Sequence, residues 1–449
     1  MRLHFLSLLS CLAFLFLFVS SANAQYDLGT SAVTGAEKKD NSEFIYGDLL
    51  PDAPELSKRG NFHVGVQTIN LLHKNQLDIL HYKDSVVPIY NRTLKVEVWY
   101  PAIIPAHKKE MEVYHELMGN KGDIKRPLIP FSFKGRCLRN ANPDRSAGAF
   151  PLIILSHGFT GSRLLFTYLA ENLASKGYVV ASIGHTESTF EDAANFSSTL
   201  LNRSLDQLFV LDEMDRLSQA QSKSFLSGLV DASKTGLIGY SMGGYGALNT
   251  TGAGYSKKAI AFFQSITGGS DALKIRAAGN EAFANSQDKR IKAVVAFAPW
   301  GMASGVWDSV GLSGLHLPTF FVAGSQDDIS MYENGIKAIY TQAIHADRYL
   351  FTYVNARHNV APNPAPYESF KQGLSLDEYY RYSEPVWDER RINNVNQHFV
   401  TAFLGIYLQG KDYGKYLDLK QNSNDGNWTG FKPRTSVGME LSHDLPINR

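Results

Sequence analysis

Cysteine is nearly absent from this 449-residue chain, which has only Cys11 and Cys137. Because Cys11 falls in a segment expected to be removed, the mature chain would keep one thiol. That excludes an internal disulfide and a thiolate metal cluster. An excess of either charge is also missing: 44 basic and 43 acidic residues leave a formal +1. With no dense basic run either, the sequence carries no electrostatic footprint for nucleic acid or anionic lipid. Internal repeats are absent, and past residue 24 no apolar run has the length of a membrane helix, so stable membrane insertion is not expected.

The first segment present is a leader: Arg2, an apolar stretch from Phe5 to Val19, then Ser20-Ser21-Ala22-Asn23-Ala24 before Gln25. The stretch is short for a membrane span, and Ala22 and Ala24 put small side chains where a signal peptidase needs them. Residues 1–24 are therefore expected to be a signal peptide cleaved near Ala24, giving a secreted or periplasmic protein, with an uncleaved anchor as the alternative. Ser10-Cys11 lies inside the apolar core, which argues against lipidation. An exported chain without disulfides fits a bacterial periplasm, and the N-x-S/T triplets at Asn91, Asn195, Asn202, Asn249 and Asn427 weigh weakly against that.

With 44% hydrophobic residues, the rest can build one large domain. Residues 25–93 are assigned to an N-terminal arm and first strands, the arm loosely draped to about residue 60; 94–410 form the main domain, and 411–449 a polar tail wrapping the surface. Leu94 to Tyr100 alternates with period two and is expected to end at Pro101. Residues 103–149 form an insertion, either pocket-covering or a solvated surface excursion. Then Pro151–Leu155 (strand), Arg163–Lys176 (helix, stopped at Gly177) and Tyr178–Ile183 (strand) make a βαβ unit. Further apolar runs at Leu237-Ile238, Ile291–Ala298, Thr319–Ala323 and Tyr349–Val354, and a last helix from Arg391 to Leu408, predict an α/β fold: a mainly parallel central sheet with helices on both faces.

Within this frame, Thr235-Gly236-Leu237-Ile238 runs into Gly239-Tyr240-Ser241-Met242-Gly243-Gly244. A serine framed by glycines between strand and helix is a nucleophile elbow: small neighbours let the turn tighten until the hydroxyl projects. A serine hydroxyl is a weak nucleophile at neutral pH, so a base, an orienting acid and oxyanion donors must accompany it. Asp327, where the Thr319 strand breaks at Gly324, is the candidate acid. Asp328 is second, and both can also be read as N-caps of a helix over Met331–Ala343. His358, after the Tyr349 strand, is the candidate base, completing the chain order Ser, Asp, His that this elbow requires. The backbone N–H groups of Phe159 and Met242 are the candidate oxyanion donors. His157 competes for the role of base, but its place inside the Ser156-His157-Gly158 turn suits a loop-holding histidine. Trp300 and Tyr240 are candidate substrate contacts. Tyr379, Tyr380, Tyr382 and Trp387 either wall a pocket or pack the last helix. Asn422-Ser423-Asn424-Asp425-Gly426 lacks the ligands of a calcium loop and is read as a turn. No metal and no cofactor is called for.

The series Leu155-Ser156-His157-Gly158, Leu173-Ala174-Ser175-Lys176-Gly177-Tyr178-Val179-Val180-Ala181, Gly184-His185 and Gly239–Gly244 resembles the α/β-hydrolases of the dienelactone hydrolase and platelet-activating-factor acetylhydrolase group, over about residues 94–408. Arg203 and Asp206 ahead of an apolar helix fit the same group, where the arginine is a scaffold residue. Dienelactone hydrolases proper have a cysteine where this chain has Ser241. The resemblance therefore implies an α/β-hydrolase fold with esterase-like chemistry: an exported serine hydrolase acting on a small or polymeric ester. A peptidase or acyltransferase with the same residues remains open, as does a non-catalytic binding protein on this fold.

Overall fold

A computed structural model describes residues 44–83 and 86–447; the leader and the first part of the N-terminal arm lie outside the described residues. The described residues form thirteen strands: β1 His63–Leu77, β2 Ile89–Ile103, β3 Glu112–Met118, β4 Ile129–Gly135, β5 Leu138–Arg139, β6 Asn142–Pro143, β7 Phe150–Ser156, β8 Val179–Gly184, β9 Val230–Tyr240, β10 Ile291–Phe297, β11 Thr319–Gly324, β12 Arg348–Tyr353 and β13 Met439–Asp444. Their main sheet runs in the order β13-β12-β11-β10-β9-β7-β8-β2-β1-β5, with β6 beside β2. The stretch from β12 to β8 is parallel. β13 on one side and β2 and β1 on the other are antiparallel.

Strands β8, β11 and β12 are buried along their whole length, as continuous apolar runs in a doubly covered parallel sheet must be. Alternation divides the apolar residues of β7 and β8 between two cores, while those of β11 and β12 all join one. Ile153 and Leu155 join one with Leu169 and Leu173 of helix α1 (Thr167–Ser175) and Phe399 and Phe403 of the helix Glu389–Gln409. Leu152 and Ile154 join the other with Val210, Leu211 and Met214 of helix α2 (Phe196–Ser218).

Several expectations are corrected here. Strand β2 passes through Pro101 to Ile103. Its pairing with β8 stops at Trp99, and the Pro101 carbonyl accepts from Asp144 on that same side, so the missing N–H faces an edge that β8 has already left. Helix α1 starts at Thr167 instead of Arg163, because tight turns at Leu165 and Thr167 occupy the preceding residues. The tail does not only wrap the surface: β13 pairs with all of β12. The described part of the arm is strapped down, with Leu50 N–H donating to Asn394 Oδ1 (2.9 Å) and Leu56 N–H to His398 Nδ1 (3.1 Å). The insertion folds as the β3–β4 ribbon, and Arg126 between its strands reaches the cavity described below. The segment Met331–Ala343 opens with wide turns, Ile336 N–H bonding Met331 O, before a short helix Ala338–Gln342.

Candidate active site

Strand β9 ends at Tyr240 and helix α3 (Met242–Thr250) begins at once, leaving Ser241 alone at the turn with φ 53° and ψ −114°. A non-glycine residue in this region is strained and persists only where its surroundings hold it. Here the Ser241 N–H donates to Phe297 O (2.9 Å), and its carbonyl accepts from Trp300 N–H (3.2 Å) and Tyr245 N–H (2.9 Å). The flanking glycines are obligatory. A Cβ on Gly239 would lie 2.2 Å from Gly243 O, and one on Gly243 would lie 2.0 Å from Ser156 O. The β7 loop presses just as close, since a Cβ on Gly158 would stand 3.3 Å from the Ser241 Cβ.

Ser241 opens onto a cavity of about 560 Å3 whose wall also carries His358, Phe159, Met242, Tyr240 and Trp300. The structure thus brings six of the seven residues singled out in the sequence to one cavity. The seventh, Asp327, lies behind the wall, its Oδ2 2.8 Å from His358 Nδ1. Its other oxygen accepts from the N–H groups of Ile329 (2.9 Å) and Ser330 (2.8 Å), so one carboxylate serves as loop cap and imidazole partner together. With Nδ1 engaged, Nε2 is the ring nitrogen left for the cavity. The Tyr240 ring lies against the imidazole at 5.2 Å. Asp328 is ion-paired to Arg357 at the cavity rim.

Two residues that sequence reasoning missed hold the histidine loop. Glu384 is buried, and its carboxylate accepts from the backbone N–H groups on either side of His358, those of Arg357 and Asn359 (2.7 Å to the latter). Burial raises its pKa even though both amides favour the charged form. Asn359 accepts from Tyr240 OH (2.7 Å) and donates to Tyr380 O, tying the elbow strand to the short helix Leu376–Tyr380. Of the aromatic segment, Tyr380 lines the cavity, whereas Tyr382 and Trp387 pack inward beside Phe131 and Tyr353. Nothing marked Glu384 in advance, as it is one acid in a polar stretch; Asn359 stood beside the chosen histidine.

A second Ser-His-Asp set lies deeper. Ser156 Oγ is 2.7 Å from His185 Nε2, and His185 Nδ1 is 2.8 Å from Asp206 Oδ2. All three are buried. Burial, then the Arg203 charge, lowers the His185 pKa to about 3. The neutral ring therefore donates to Asp206 and accepts the Ser156 hydroxyl proton. Burial opposes the Asp206 charge, but Arg92, bonded to both its oxygens (2.8 and 3.0 Å), holds the carboxyl well below its usual range. Asp206 thus pairs with Arg92, while Arg203 donates to Ser188 Oγ. His157 belongs to this buried group: its Nε2 accepts from His185 N–H (3.1 Å), which leaves Nδ1–H to donate to Gly158 O (2.6 Å). Burial, followed by the charge of Arg203, keeps His157 neutral.

Among the described residues, no group of His, Cys, Asp and Glu side chains is arranged to hold a metal ion, and no helix is long and apolar enough to cross a membrane. Cys137 is buried and free, its Sγ 2.9 Å from Tyr114 OH.

Residues 139–267 match a family model described as PET hydrolase-like. The chain is 26% identical to a platelet-activating factor acetylhydrolase of Cavia porcellus over 24% of this chain and 33% of that protein. It is 31% identical to the cutinases est1 and est2 of Thermobifida alba over 23% of this chain and 31% of each of them. The match spans about a third of the length of these curated relatives. A ferulic acid esterase structure from Streptomyces cinnamoneus superposes with a TM-score of 0.50 at 19% identity, covering 80% of this chain and 94% of that one. By this likeness the chain has the α/β-hydrolase fold.

Proposed function

We propose that this protein is an exported serine hydrolase of carboxylic esters, with Ser241 as nucleophile, His358 as general base and Asp327 as the acid that orients it. The observation that carries this reading is the shared cavity: a strained, glycine-framed serine and an imidazole tied to a buried carboxylate face the same space. The relatives named as cutinases and an acetylhydrolase support ester chemistry, and the leader over residues 1–24 supports export.

In the proposed reaction His358 Nε2 takes the Ser241 proton as Oγ attacks the ester carbonyl, forming the tetrahedral oxyanion. The N–H groups of Met242 and Phe159 stabilise that charge; the place of Met242 directly after Ser241 at the start of α3 supports the first, and the close approach of the Gly158 loop to Ser241 the second. Collapse breaks the bond to the alcohol oxygen, which leaves with the proton from His358. Water, deprotonated by the same imidazole, then attacks the acyl-serine, releases the acid and restores Ser241. Asp327 holds the ring with Nδ1–H toward itself and stabilises the imidazolium.

Peptidase or acyltransferase chemistry would use the same atoms, and no observation favours either. The test is labelling with a fluorophosphonate alongside hydrolysis of p-nitrophenyl acetate and a panel of peptide amides. The folded protein is expected to label at Ser241 and to cleave the ester, and Ser241→Ala to lose both. Folded protein that neither labels nor turns over ester would be a binding protein, and the proposal would fail.

A further inference from the structure

Beside the cavity that holds Ser241 lies a second recess of about 270 Å3, between helices α2 and α4 (Lys257–Ile266). Its walls are mainly apolar, formed by Leu200, Tyr245, Tyr255, Ala259, Phe262 and Leu273, with Lys258 and Ser304 the polar residues among the rest of its lining. The two tyrosines present only their rings, because their hydroxyls bond each other (2.8 Å) and the Tyr245 hydroxyl donates to Leu200 O (2.8 Å). The recess and the Ser241 cavity share Phe196 and Trp300, whose rings meet edge to face with centroids 5.2 Å apart. Phe196 also stacks edge-on against Phe159, the residue after the Gly158 approach. An apolar recess of this size, opening beside the cavity that holds Ser241, offers room for an apolar group of a substrate.

Which half of an ester it suits follows from the proton path. The leaving alcohol oxygen must receive its proton from His358, so the alcohol lies on the imidazole side of the scissile bond. Tyr240, Asn359, Tyr380 and Arg357 surround that side, and none of them lines the recess. The acyl group extends the other way, past the sill formed by Phe196 and Trp300. An apolar cavity of about 150 Å3 accommodates benzene, so in proportion the recess of about 270 Å3 takes roughly eleven carbons at most.

We infer that this recess is the acyl-chain site and that the preferred substrates are esters of medium-length aliphatic acids. The inference rests on the proposed role of Ser241 and makes that reading specific.

The test is kcat/KM for p-nitrophenyl acetate, butyrate, hexanoate, octanoate and decanoate, with wild type, Ala259→Phe, which fills the recess from α4, and Phe262→Ala, which strips its half-exposed outer edge. Wild type should favour octanoate over acetate at least tenfold. Ala259→Phe should lower the octanoate-to-acetate ratio at least tenfold, and Phe262→Ala about threefold. A flat chain-length profile in wild type, or ratios within twofold of wild type in both variants, would overturn the acyl site while leaving the esterase reading standing. A parallel arm compares octyl with ethyl acetate; if Ala259→Phe lowers the octyl-to-ethyl ratio instead, the recess takes the alcohol and the assignment is wrong. Folded protein with no ester turnover and no fluorophosphonate label overturns both the inference and the reading beneath it.

Discussion

Two groupings of a serine, a histidine and an aspartate stand in one molecule, each with its imidazole Nδ1 on the carboxylate, and they differ in almost everything else. Ser241 sits at φ 53° on the wall of a cavity; Ser156 is 0% exposed at the end of a regular strand, with its hydroxyl already hydrogen-bonded to His185. Asp327 shares its carboxylate between His358 and loop amides, whereas Asp206 is neutralised by Arg92. Distances alone would choose the buried set, since its hydrogen bonds are complete. Access and backbone strain are the grounds on which the proposed function takes the other. A satisfied buried network is rigid and specifies a local fold, and what this one holds is the Ser156–Gly158 loop that leans on Ser241. A nucleophile needs the opposite: a hydroxyl held out, facing room for a substrate.

The widest separation between the sets should come from deleting each imidazole. Substitution of His358 by Ala is expected to lower kcat/KM for p-nitrophenyl esters by about 10^4- to 10^6-fold, the range seen when one member of such a unit is lost, with urea unfolding little changed. His185→Ala should do the reverse. Leaving the Ser156 hydroxyl and an Asp206 oxygen short of partners in a buried site costs about 3 kcal/mol of stability, while folded protein keeps its fluorophosphonate label. If the His185 variant were the inactive one and His358→Ala retained turnover, the roles of the two sets would be exchanged.

A smaller effect sharpens the same contrast. The loop that carries His358 is held by Glu384, which grips the amides flanking that residue. Glu384→Ala is expected to lower kcat roughly tenfold to a hundredfold through misplacement of the ring and to change KM little. Glu384→Gln, which keeps one acceptor, should fall between. Equal loss in both variants, or a change confined to KM, would remove Glu384 as the residue that positions the loop.

The parts of this arrangement that were legible in the sequence were local. Gly239 and Gly243 mark the elbow because their Cβ atoms would collide with backbone a few residues away or in the adjoining loop, and the apolar runs of β8, β11 and β12 read as strands because both their faces are covered. What escaped depends on partners distant in sequence. Met439–Asp444 looks like a polar tail and becomes a strand only because β12 offers it an edge. Arg203 and Asp206, neighbours on one helix turn, do not pair, because Arg92 from β2 reaches the carboxylate. The role of Glu384 exists only once the chain has brought it back under His358.

The last predicted effect concerns acid. In the unfolded chain His185 titrates near 6.5, and in the folded protein it does so at about 3, because burial and Arg203 penalise its charged form. Below pH 6.5 the unfolded chain therefore takes up a proton that the folded one refuses, and stability falls as the pH drops from about 6.5 toward 3. One such group contributes a slope of about 1.4 kcal/mol per pH unit. His185→Gln, which can still accept from Ser156 and donate to Asp206, removes that proton from the balance. Urea unfolding between pH 6 and pH 4.5 should show the variant less steeply dependent on pH than wild type by about one proton. Parallel dependence in the two proteins would mean that His185 is not held neutral, and that the buried set is less unlike the open one than its burial implies.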